Sequence, residues 1–352
     1  NISFEPYQAL TMYTSLAGLN YIKGIGAVPM GIGNKNLKWE RTLSANLGLD
    51  LTMFKGRWDF SADVYVKNTD NLLLDITKAP SLGITTSREN VGEVENHGFE
   101  FQTRVIPIKN KDWEWSLSLN YAYNKNKIKK ISNALREQNE KNQAKGGVTP
   151  LPIYEEGQSL TALKVVSSAG IDPITGNEVF IKRDGSLTFV YDPNDKVVYG
   201  DTTPFGMGSI GSYLTYKQFS MGMSMRYSFG GAVYNQTLAS KVEGADPRYN
   251  ADERVFSSRW KEVGQQAKYK RISDSSVPMQ TSRFVETNNY ITLSSLSLAY
   301  EVPLTFIKRY GLKRLHLEML ANDLFYLSSV KRERGLSYPY ERSVEFSVRL
   351  GF

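Results

Sequence analysis

Apolar and polar residues alternate along most of this chain with a period of two. In LSANLGLDLTM the apolar residues run from Leu43 to Met53 at every second position, with Ser, Asn, Gly, Asp and Thr between them. The same alternation recurs in RWDFSADVYVK, DWEWSLSLNYAYN, QFSMGMSMRYSF and SVEFSVRLGF, and more weakly near 97–107, 205–216, 290–301 and 312–325. It predicts about ten strands, several reaching the ~9–11 residues that a tilted strand needs to cross a bilayer.

Short and long connections separate these strands in turn. FKGR, IKNKD and YKQ are predicted to be tight turns, and long connections are predicted near 70–95, 126–204, 230–287 and 326–340. Short turns at one end and long loops at the other are typical of an outer-membrane barrel, with the turns periplasmic and the loops extracellular. The predicted fold is therefore all-β, an antiparallel transmembrane β-barrel with long extracellular loops.

Aromatic residues are placed where such a barrel would meet the two membrane interfaces. The sequence predicts one belt near the short turns, formed by Phe54, Trp58, Trp113, Trp115, Phe219 and Phe352. A second belt near the long loops would contain Trp39, Tyr123, Phe229 and Phe325. The alternative is that these rings form the core of a soluble sandwich.

Three local patterns carry further predictions. In YITLSSLSLAY the apolar phase shifts by one position, which predicts a bulge at Ser294–Ser295. The glycines of FGMGSIGSY predict close strand packing, and GIDPITGNE predicts a tight turn. Ile128, Ile131 and Leu135 have helical spacing and predict a short surface helix. The final strand is expected to close the barrel and to be paired on both sides.

Composition removes several kinds of chemistry. The 352 residues contain no cysteine, which excludes zinc–thiolate sites, catalytic thiols and disulfides. The net charge of +7 is spread over many segments, and no nucleic-acid-binding motif accompanies it. The chain begins at Asn1, so either processing removed a leader or this is the later part of a longer protein.

Candidate catalytic and metal sites are weak. His97 and His316 lack a recognisable nucleophile and are read as ordinary polar residues of a barrel. ADPRYNADE and YDPNDKVVYGD cluster carboxylates without the order of a calcium loop, so no metal and no cofactor are predicted. We predict that the protein is not an enzyme.

Several segments together resemble the SusC/RagA-like TonB-dependent transporters of Bacteroidetes, over about residues 34–352. The segments are NKNLKWERTLSANLGLD, NVGEVENHGFEFQTRV, NYAYNKNKI, EEGQSLTALKVVSSAGIDPITGNEVF, RWKEVGQQAKYKRI, SRFVETNNYITLSSLSLAYEVP and ANDLFYLS. The resemblance rests on their order and spacing rather than on any one of them.

The resemblance implies that residues 1–352 are the C-terminal part of a barrel of about 22 strands with a plugged lumen. The plug and the TonB-contacting segment are expected to lie outside this sequence. It also implies a bacterial outer-membrane location and uptake of oligosaccharides or peptides. The implied partners are a SusD-like surface lipoprotein, the TonB–ExbB–ExbD system, and outer-membrane lipid and lipopolysaccharide.

Substrate contacts in such a transporter would come from loop tips and the upper lumen. The candidates, chosen as aromatic or basic residues of the long loops, are Tyr154, Tyr191, Tyr234, Arg248, Tyr249 and Trp260. Two other functions stay open at this point. One is a self-contained smaller barrel acting as a passive porin or an outer-membrane enzyme, and the other is a SusC-like scaffold within a larger envelope complex.

Overall fold

The chain is predominantly built of antiparallel strands. The computed structural model describes residues 10–21, 24–31, 33–78, 81, 83–84, 86–246, 248–249, 251–331 and 342–352. Its strands are β1 (Met12–Tyr21), β2 (Gly24–Gly31), β3 (Arg41–Met53), β4 (Trp58–Thr77), β5 (Thr86–Lys109), β6 (Trp113–Ile131), β7 (Ala162–Ile171), β8 (Glu178–Ile181), β9 (Leu187–Thr188), β10 (Lys196–Asp201), β11 (Gly206–Tyr216), β12 (Phe219–Tyr234), β13 (Val285–Glu301), β14 (Arg314–Ser328) and β15 (Val344–Gly351).

Helices are few and short. The α-helices are α1 (Asn133–Ala144), α2 (Arg254–Ser257) and α3 (Leu304–Ile307), with a π-helix at Leu238–Glu243 and 3-10 turns at Pro193–Asp195, Ser282–Phe284 and Lys308–Tyr310. None of the helices in the described ranges combines the length and the apolar character needed to cross a membrane.

Nine strands form one continuous sheet in the order β15-β14-β13-β12-β11-β6-β5-β4-β3. Strands that follow one another along the chain pair with each other, and β6 pairs with β11 across the long connection that joins them. The remaining strands form a hairpin, β1-β2, and a small sheet in the order β10-β7-β8-β9. The antiparallel fold predicted from the alternation is therefore confirmed, and the main sheet of the described residues has nine strands where about ten were predicted.

Strand register aligns the alternating residues into two faces. Leu47 pairs with Val64, Val64 with Phe99, and Phe99 with Tyr123, so apolar side chains continue from strand to strand. Many of these apolar side chains are exposed: Leu47 is 75% exposed and Phe346 is 77% exposed. The opposite face carries the polar residues of the same strands. We call these two surfaces the apolar face and the polar face.

The connections alternate in length as predicted. Residues 54–57, 110–112 and 217–218 are tight turns at what we call the short-turn end. The predicted connection at 70–95 was wrong, because β4 continues to Thr77 and β5 begins at Thr86, so that only residues 78–85 lie between the two strands in the sequence. His97, where the alternation near 97–107 begins, therefore lies well inside β5. The predicted connection at 326–340 lies largely outside the described residues.

Local predictions had mixed outcomes. The bulge is confirmed, since Leu293 and Ser295 find partners in both neighbouring strands while Ser294 is skipped. The helix exists but begins at Asn133, where the Ser132 side chain accepts a hydrogen bond from the Leu135 amide. Ile128 and Ile131 instead belong to β6. A strand turns into a helix here because Ser132 supplies the cap.

Close packing at the predicted glycines is also confirmed. A Cβ at Gly208 would lie 2.0 Å from the carbonyl oxygen of Asn120 and 2.7 Å from the Tyr227 hydroxyl. That hydroxyl donates a hydrogen bond to the same carbonyl at 2.7 Å. Tyr227 thus reaches across β11, which only a glycine permits at this position.

The last strand pairs on one side within the described residues. β15 binds β14 and forms one edge of the sheet, and β3 forms the other. Closure of a barrel by this strand stays a prediction.

Aromatic rings cluster at the short-turn end, where the first belt was predicted. Trp113 lies 4.1 Å from Tyr216 between ring centroids, and Phe219 lies 4.4 Å from Tyr300. Phe54 stacks on Trp58, whose indole donates to Thr103, and the Trp115 indole donates to Ser212. Phe352 and Trp39 are 79% and 66% exposed. Contact of these residues with the membrane interface stays a prediction.

Candidate functional site

Two long connections pack together at the end opposite the short turns. We call residues 132–205 and 235–284 the loop assembly, with residues 247 and 250 outside the described part. The first contains α1 and the β10-β7-β8-β9 sheet, and the second contains the π-helix and α2. Ala239, Val242, Tyr269 and Phe284 form a buried cluster against which Val148, Tyr234 and Leu238 pack. The two connections therefore share one core.

A buried arginine ties the loop assembly to the start of a long strand. Arg283, two residues before β13, donates to both oxygens of Glu178 at 2.7 and 2.6 Å. It also donates to both oxygens of Glu243 at 2.7 and 2.9 Å. Its guanidinium carbon Cζ lies 4.8 Å from the centroid of the Phe284 ring. Glu178 belongs to β8 and Glu243 to the π-helix, so three distant segments meet at one guanidinium.

The electrostatics of this cluster depend on complete pairing. The side chains of Glu178 and Glu243 are 3% and 0% exposed. Burial lowers the pKa of Arg283, but the hydrogen bonds and charges of the two carboxylates raise it more strongly, so the net direction is upward. A charge buried this deeply is tolerated only when it is paired and hydrogen-bonded.

Two more cationic side chains fasten backbone segments of the loop assembly. Arg259 is buried and donates to the carbonyls of Val255 and Val242 at 2.9 and 3.0 Å. Lys196 is 1% exposed, and its Nζ donates to three carbonyl oxygens at the end of α1, those of Asn142, Gln143 and Lys145. These bonds satisfy carbonyl groups that the helix leaves unpaired.

A tryptophan forms a second link between the two connections. Asp172 caps the predicted turn at GIDPITGNE by accepting from the Thr175 amide at 3.1 Å, which confirms that turn. The Trp260 indole donates to the Pro173 carbonyl at 2.9 Å and covers Gly176. A Cβ at Gly176 would lie 2.6 Å from the indole ring.

Substituting Gly176 with alanine is expected to displace Trp260 and loosen this link. Gly176 has φ +71°, so alanine adds backbone strain as well as the steric clash. Gly185→Ala is the matched control, because its φ is +85° but nothing lies within 4 Å of its Cβ position. We expect Gly176→Ala to destabilise the loop assembly by about 1–3 kcal/mol more than the control, as followed by proteolysis and tryptophan fluorescence. Equal behaviour of the two variants would contradict the contact.

The structure separates the six predicted substrate residues into two groups. Tyr154, Tyr191 and Trp260 lie in the loop assembly, and Tyr234, the last residue of β12, packs against its buried cluster. Burial, with help from the Glu178 and Asp192 carboxylates, raises the pKa of Tyr191 to about 12. Tyr249 is instead 74% exposed, and Arg248 is open to solvent while paired with Asp246. Their role in substrate binding stays a prediction.

Arg248 borders a cleft of about 550 Å³ in the loop assembly. Its polar lining includes Ser240, Asp246, Asp274 and Ser276. Hydrogen bonds from Arg248 lower the pKa of Asp246 to about 2. Burial raises the pKa of Asp274, but hydrogen bonds from Ser276 and Lys270 bring it to about 2. Both carboxylates are therefore charged at neutral pH.

A second cleft, of about 540 Å³, lies on the polar face. Asp63 and Glu100 face each other directly across β4 and β5, and Asn120, Arg226 and Tyr290 also line the cleft. These hydroxyl, amide and charged groups can hydrogen-bond a polar molecule. Among the described residues, no group of three or more histidine and carboxylate side chains is arranged to hold a metal ion.

His316 belongs to an ion cluster at the short-turn end of the polar face. Its Nδ1 lies 2.9 Å from Glu301, which also accepts from Arg314 at 2.9 Å. Glu318 accepts from Arg349 at 3.1 Å. These contacts give the histidine polar partners on neighbouring strands, in line with its interpretation as a polar residue of a barrel.

Sequence reasoning missed Arg283, Glu178, Glu243 and Lys196. The arginine lies 105 and 40 positions from its two carboxylates. Nothing local marks such a cluster, because each residue occurs in a segment that looks like an ordinary polar loop or strand end.

Comparison with known proteins agrees with this architecture. A family model described as TonB dependent receptor-like, beta-barrel, matches residues 3–318. TonB-dependent receptor P3 of Formosa agariphila is 29% identical over 346 residues, which cover 92% of this chain and 33% of the relative. TonB-dependent receptor SusC of Bacteroides thetaiotaomicron is 31% identical over 218 residues, covering 59% of this chain and 21% of the relative.

A solved structure shares the fold over the full chain. A chain of the RagAB peptide transporter superposes with a TM-score of 0.83 at 20% identity, covering 100% of this chain and 40% of that chain. This chain spans about a third of the length of the Formosa relatives it matches. The family match covers most of the chain, and members of this family lie in the bacterial outer membrane. The chain therefore belongs to the TonB-dependent receptor-like β-barrel family of outer-membrane proteins.

Proposed function

We propose that this chain forms part of the barrel of a nutrient importer that takes up oligosaccharides or peptides across the outer membrane. The observation that carries the proposal is the sheet with one apolar and one polar face, capped at the long-loop end by a packed loop assembly. Membership of the TonB-dependent receptor-like family and similarity to SusC support the same role. The likeness to the RagAB peptide transporter supports the fold of such a barrel.

The two polar clefts suggest where a substrate would be held. The loop cleft, with Asp246, Arg248 and Asp274, would meet the substrate first, and the polar-face cleft would line its route inward. Both offer hydrogen-bonding and charged groups, which suit the hydroxyls of a sugar and the amides and termini of a peptide. Tyr249 adds an exposed ring that can stack on either.

The proposed partners follow from the resemblance to SusC-like transporters. A SusD-like surface lipoprotein would cover the loop assembly, and TonB–ExbB–ExbD would energise uptake through parts of the protein beyond these residues. Lipid and lipopolysaccharide would surround the apolar face. The large share of the relatives that lies outside this match leaves room for a plug and a TonB-contacting segment.

A deletion strain of the source bacterium tests the proposal. Growth is measured on a panel of oligosaccharides and peptides as sole carbon sources, with the full-length gene supplied on a plasmid as the control. We expect growth to fail on one substrate class and to return on complementation. Uptake that persists after the proton gradient is dissipated would point to a passive pore. Unchanged growth, with loss of co-purifying envelope proteins, would point to a scaffold.

Substituting Tyr249 with alanine is expected to weaken uptake of the transported substrate. A stacked ring contributes about 1 kcal/mol, so we expect a several-fold loss of apparent affinity. Tyr310→Ala is the matched control, because Tyr310 is 65% exposed but lies at the short-turn end. Both variants are compared with the native protein in labelled-substrate uptake, at equal amounts in the outer membrane. Equal uptake by both variants would contradict a role for Tyr249.

A further inference from the structure

The connections at the short-turn end are strongly basic. The four connections there, residues 54–57, 110–112, 217–218 and 302–313, contain one acidic residue, Asp112. Their basic residues are Lys55, Arg57, Lys111, Lys217, Lys308, Arg309 and Lys313. All seven are exposed, and within the described ranges none of them pairs with a carboxylate. By contrast, Arg314 and Arg349 are neutralised by Glu301 and Glu318.

An apolar groove runs across the apolar face next to part of this charge. Its volume is about 480 Å³, within the range of ordinary ligand pockets. Two rows of residues in register across five strands, β11 to β15, form its walls. The first row is Tyr216, Phe219, Tyr300, Leu317 and Val348, and the second is Leu214, Met221, Leu298, Met319 and Phe346.

The charged connections border the turn-side end of this groove. Lys217 directly follows Tyr216, and its Nζ lies 5.3 Å from the centroid of that ring. The Glu301 amide donates to the Gln218 carbonyl at 2.9 Å, which holds the 217–218 turn beside the start of the 302–313 connection. Lys308 and Lys313 lie in that connection.

The 302–313 connection is itself amphipathic. Ile307 is buried, whereas Leu304 and Phe306 are 58% and 66% exposed, and Lys308 comes two residues after Phe306. Exposed apolar side chains beside lysines are typical of segments that lie in the headgroup region of a membrane. This connection would place apolar side chains in the bilayer and cations at its surface.

We propose that the groove and the adjoining lysines Lys217, Lys308 and Lys313 form a binding site for an anionic phospholipid. The acyl chains lie along the apolar wall, and the phosphate meets the lysines at the rim. The commitment to an anionic headgroup rests on charge complementarity, since these three lysines have no carboxylate partner among the described residues. The commitment to a lipid rests on the apolar groove, which a free anion would leave empty.

The test uses the purified full-length protein, delipidated in neutral detergent. Native mass spectrometry measures binding of dioleoylphosphatidylglycerol, with dioleoylphosphatidylcholine and inorganic phosphate as comparison ligands. We expect phosphatidylglycerol to bind about tenfold or more tightly than phosphatidylcholine, and phosphate not to displace it. Equal binding of the two lipids, or displacement by phosphate, would overturn the proposal.

Variants locate the site. Lys217→Gln, Lys308→Gln and Lys313→Gln combined should weaken phosphatidylglycerol binding about tenfold or more. The matched control combines Lys55→Gln, Arg57→Gln and Lys111→Gln, which removes the same charge from turns that do not border the groove. Leu298→Trp fills the groove without changing charge and should also weaken binding. An equal loss in both triple variants would mean diffuse attraction only and would reject a site at this groove.

Discussion

Replacing Arg283 with methionine is expected to release the loop assembly from the rim of the sheet. The substitution leaves Glu178 and Glu243 buried without a cation, since their side chains are 3% and 0% exposed. Breaking a buried pair by removing one partner costs about 3–5 kcal/mol. The loss falls on the contacts between β8, the π-helix and the start of β13, so the loop assembly should open while the nine-stranded sheet remains.

Hydrogen exchange measured by mass spectrometry can separate these two outcomes. Peptides from residues 162–201 and 238–281 should exchange much faster in Arg283→Met, and peptides from β12 and β14 should be unchanged. Arg271→Met is the matched control, because Arg271 is an exposed arginine in the same connection whose side chain has no ion pair among the described contacts. Similar exchange in the two variants would contradict the role given to Arg283.

A compensated variant tests whether charge burial is the cause. Glu178→Gln and Glu243→Gln, added to Arg283→Met, remove all three charges, and replacing a complete buried ion cluster by neutral residues is often close to neutral in stability. We expect the triple variant to recover most of the protection lost in the single variant. Failure to recover would mean that the shape of the arginine, rather than its charge, holds the assembly.

The sheet could be predicted from sequence because the alternation that marks each strand lies within a short stretch of the chain. A strand with one apolar and one polar face shows its period within ten residues, as in the run from Phe219 to Phe229. Register then follows, because a slip by one residue would move every apolar side chain to the wrong face. Even the bulge at Ser294 was visible, since it shifts that period by one position.

Strand ends were harder to predict, because alternation stops before the pairing does. The sequence predicts a long connection near 70–95, yet most residues of 70–77 and 86–95 pair in β4 and β5. There Leu72, Leu73 and Leu74 are consecutive, and register shifts follow Thr69 and Leu72. Ile76 and Val91 pack with Leu135 of α1 in a small core. The register shifts interrupt the alternation, so a local pattern cannot mark the strand.

The packing of the loop assembly could not be predicted from local sequence patterns either. Its stability comes from contacts such as Arg283 with Glu178 and Trp260 with Gly176, which join segments far apart in sequence. Aromatic and basic loop residues were chosen as substrate contacts on residue type alone. Type does not distinguish Tyr191, packed against Phe180 at 5.5 Å between centroids, from Tyr249, which is exposed.

An arginine at Met223 is expected to impair the barrel in the membrane far more than an arginine at the next residue. Met223 lies on the apolar face midway between Phe219 and Phe229, and it pairs with Leu296 of β13. Ser224 points to the polar face, where it faces Gly211 of β11 and Ser295 of β13. The two positions share a strand, a depth and the neighbouring strands β11 and β13, so they differ mainly in the medium that each side chain enters.

The energetic difference follows from that medium. Arginine at the lipid-facing midplane of an outer-membrane barrel costs about 2–4 kcal/mol, whereas polar-face positions accept charge. Arg226, two residues beyond Ser224 on the same face, shows that a guanidinium fits there. We therefore expect Met223→Arg to lower the unfolding free energy by about 2–4 kcal/mol and Ser224→Arg by less than about 1 kcal/mol.

The measurement uses the full-length protein folded into phospholipid vesicles, with the folded fraction at each urea concentration read from heat-modifiable gel mobility. The midpoint for Met223→Arg should fall well below that of Ser224→Arg, which should remain close to the native value. If both arginines were tolerated equally in vesicles, the apolar face would not be the lipid face. The reverse order would place lipid on the polar side and would reject the transmembrane assignment of this sheet, because charge can be tolerated only on the face that meets water.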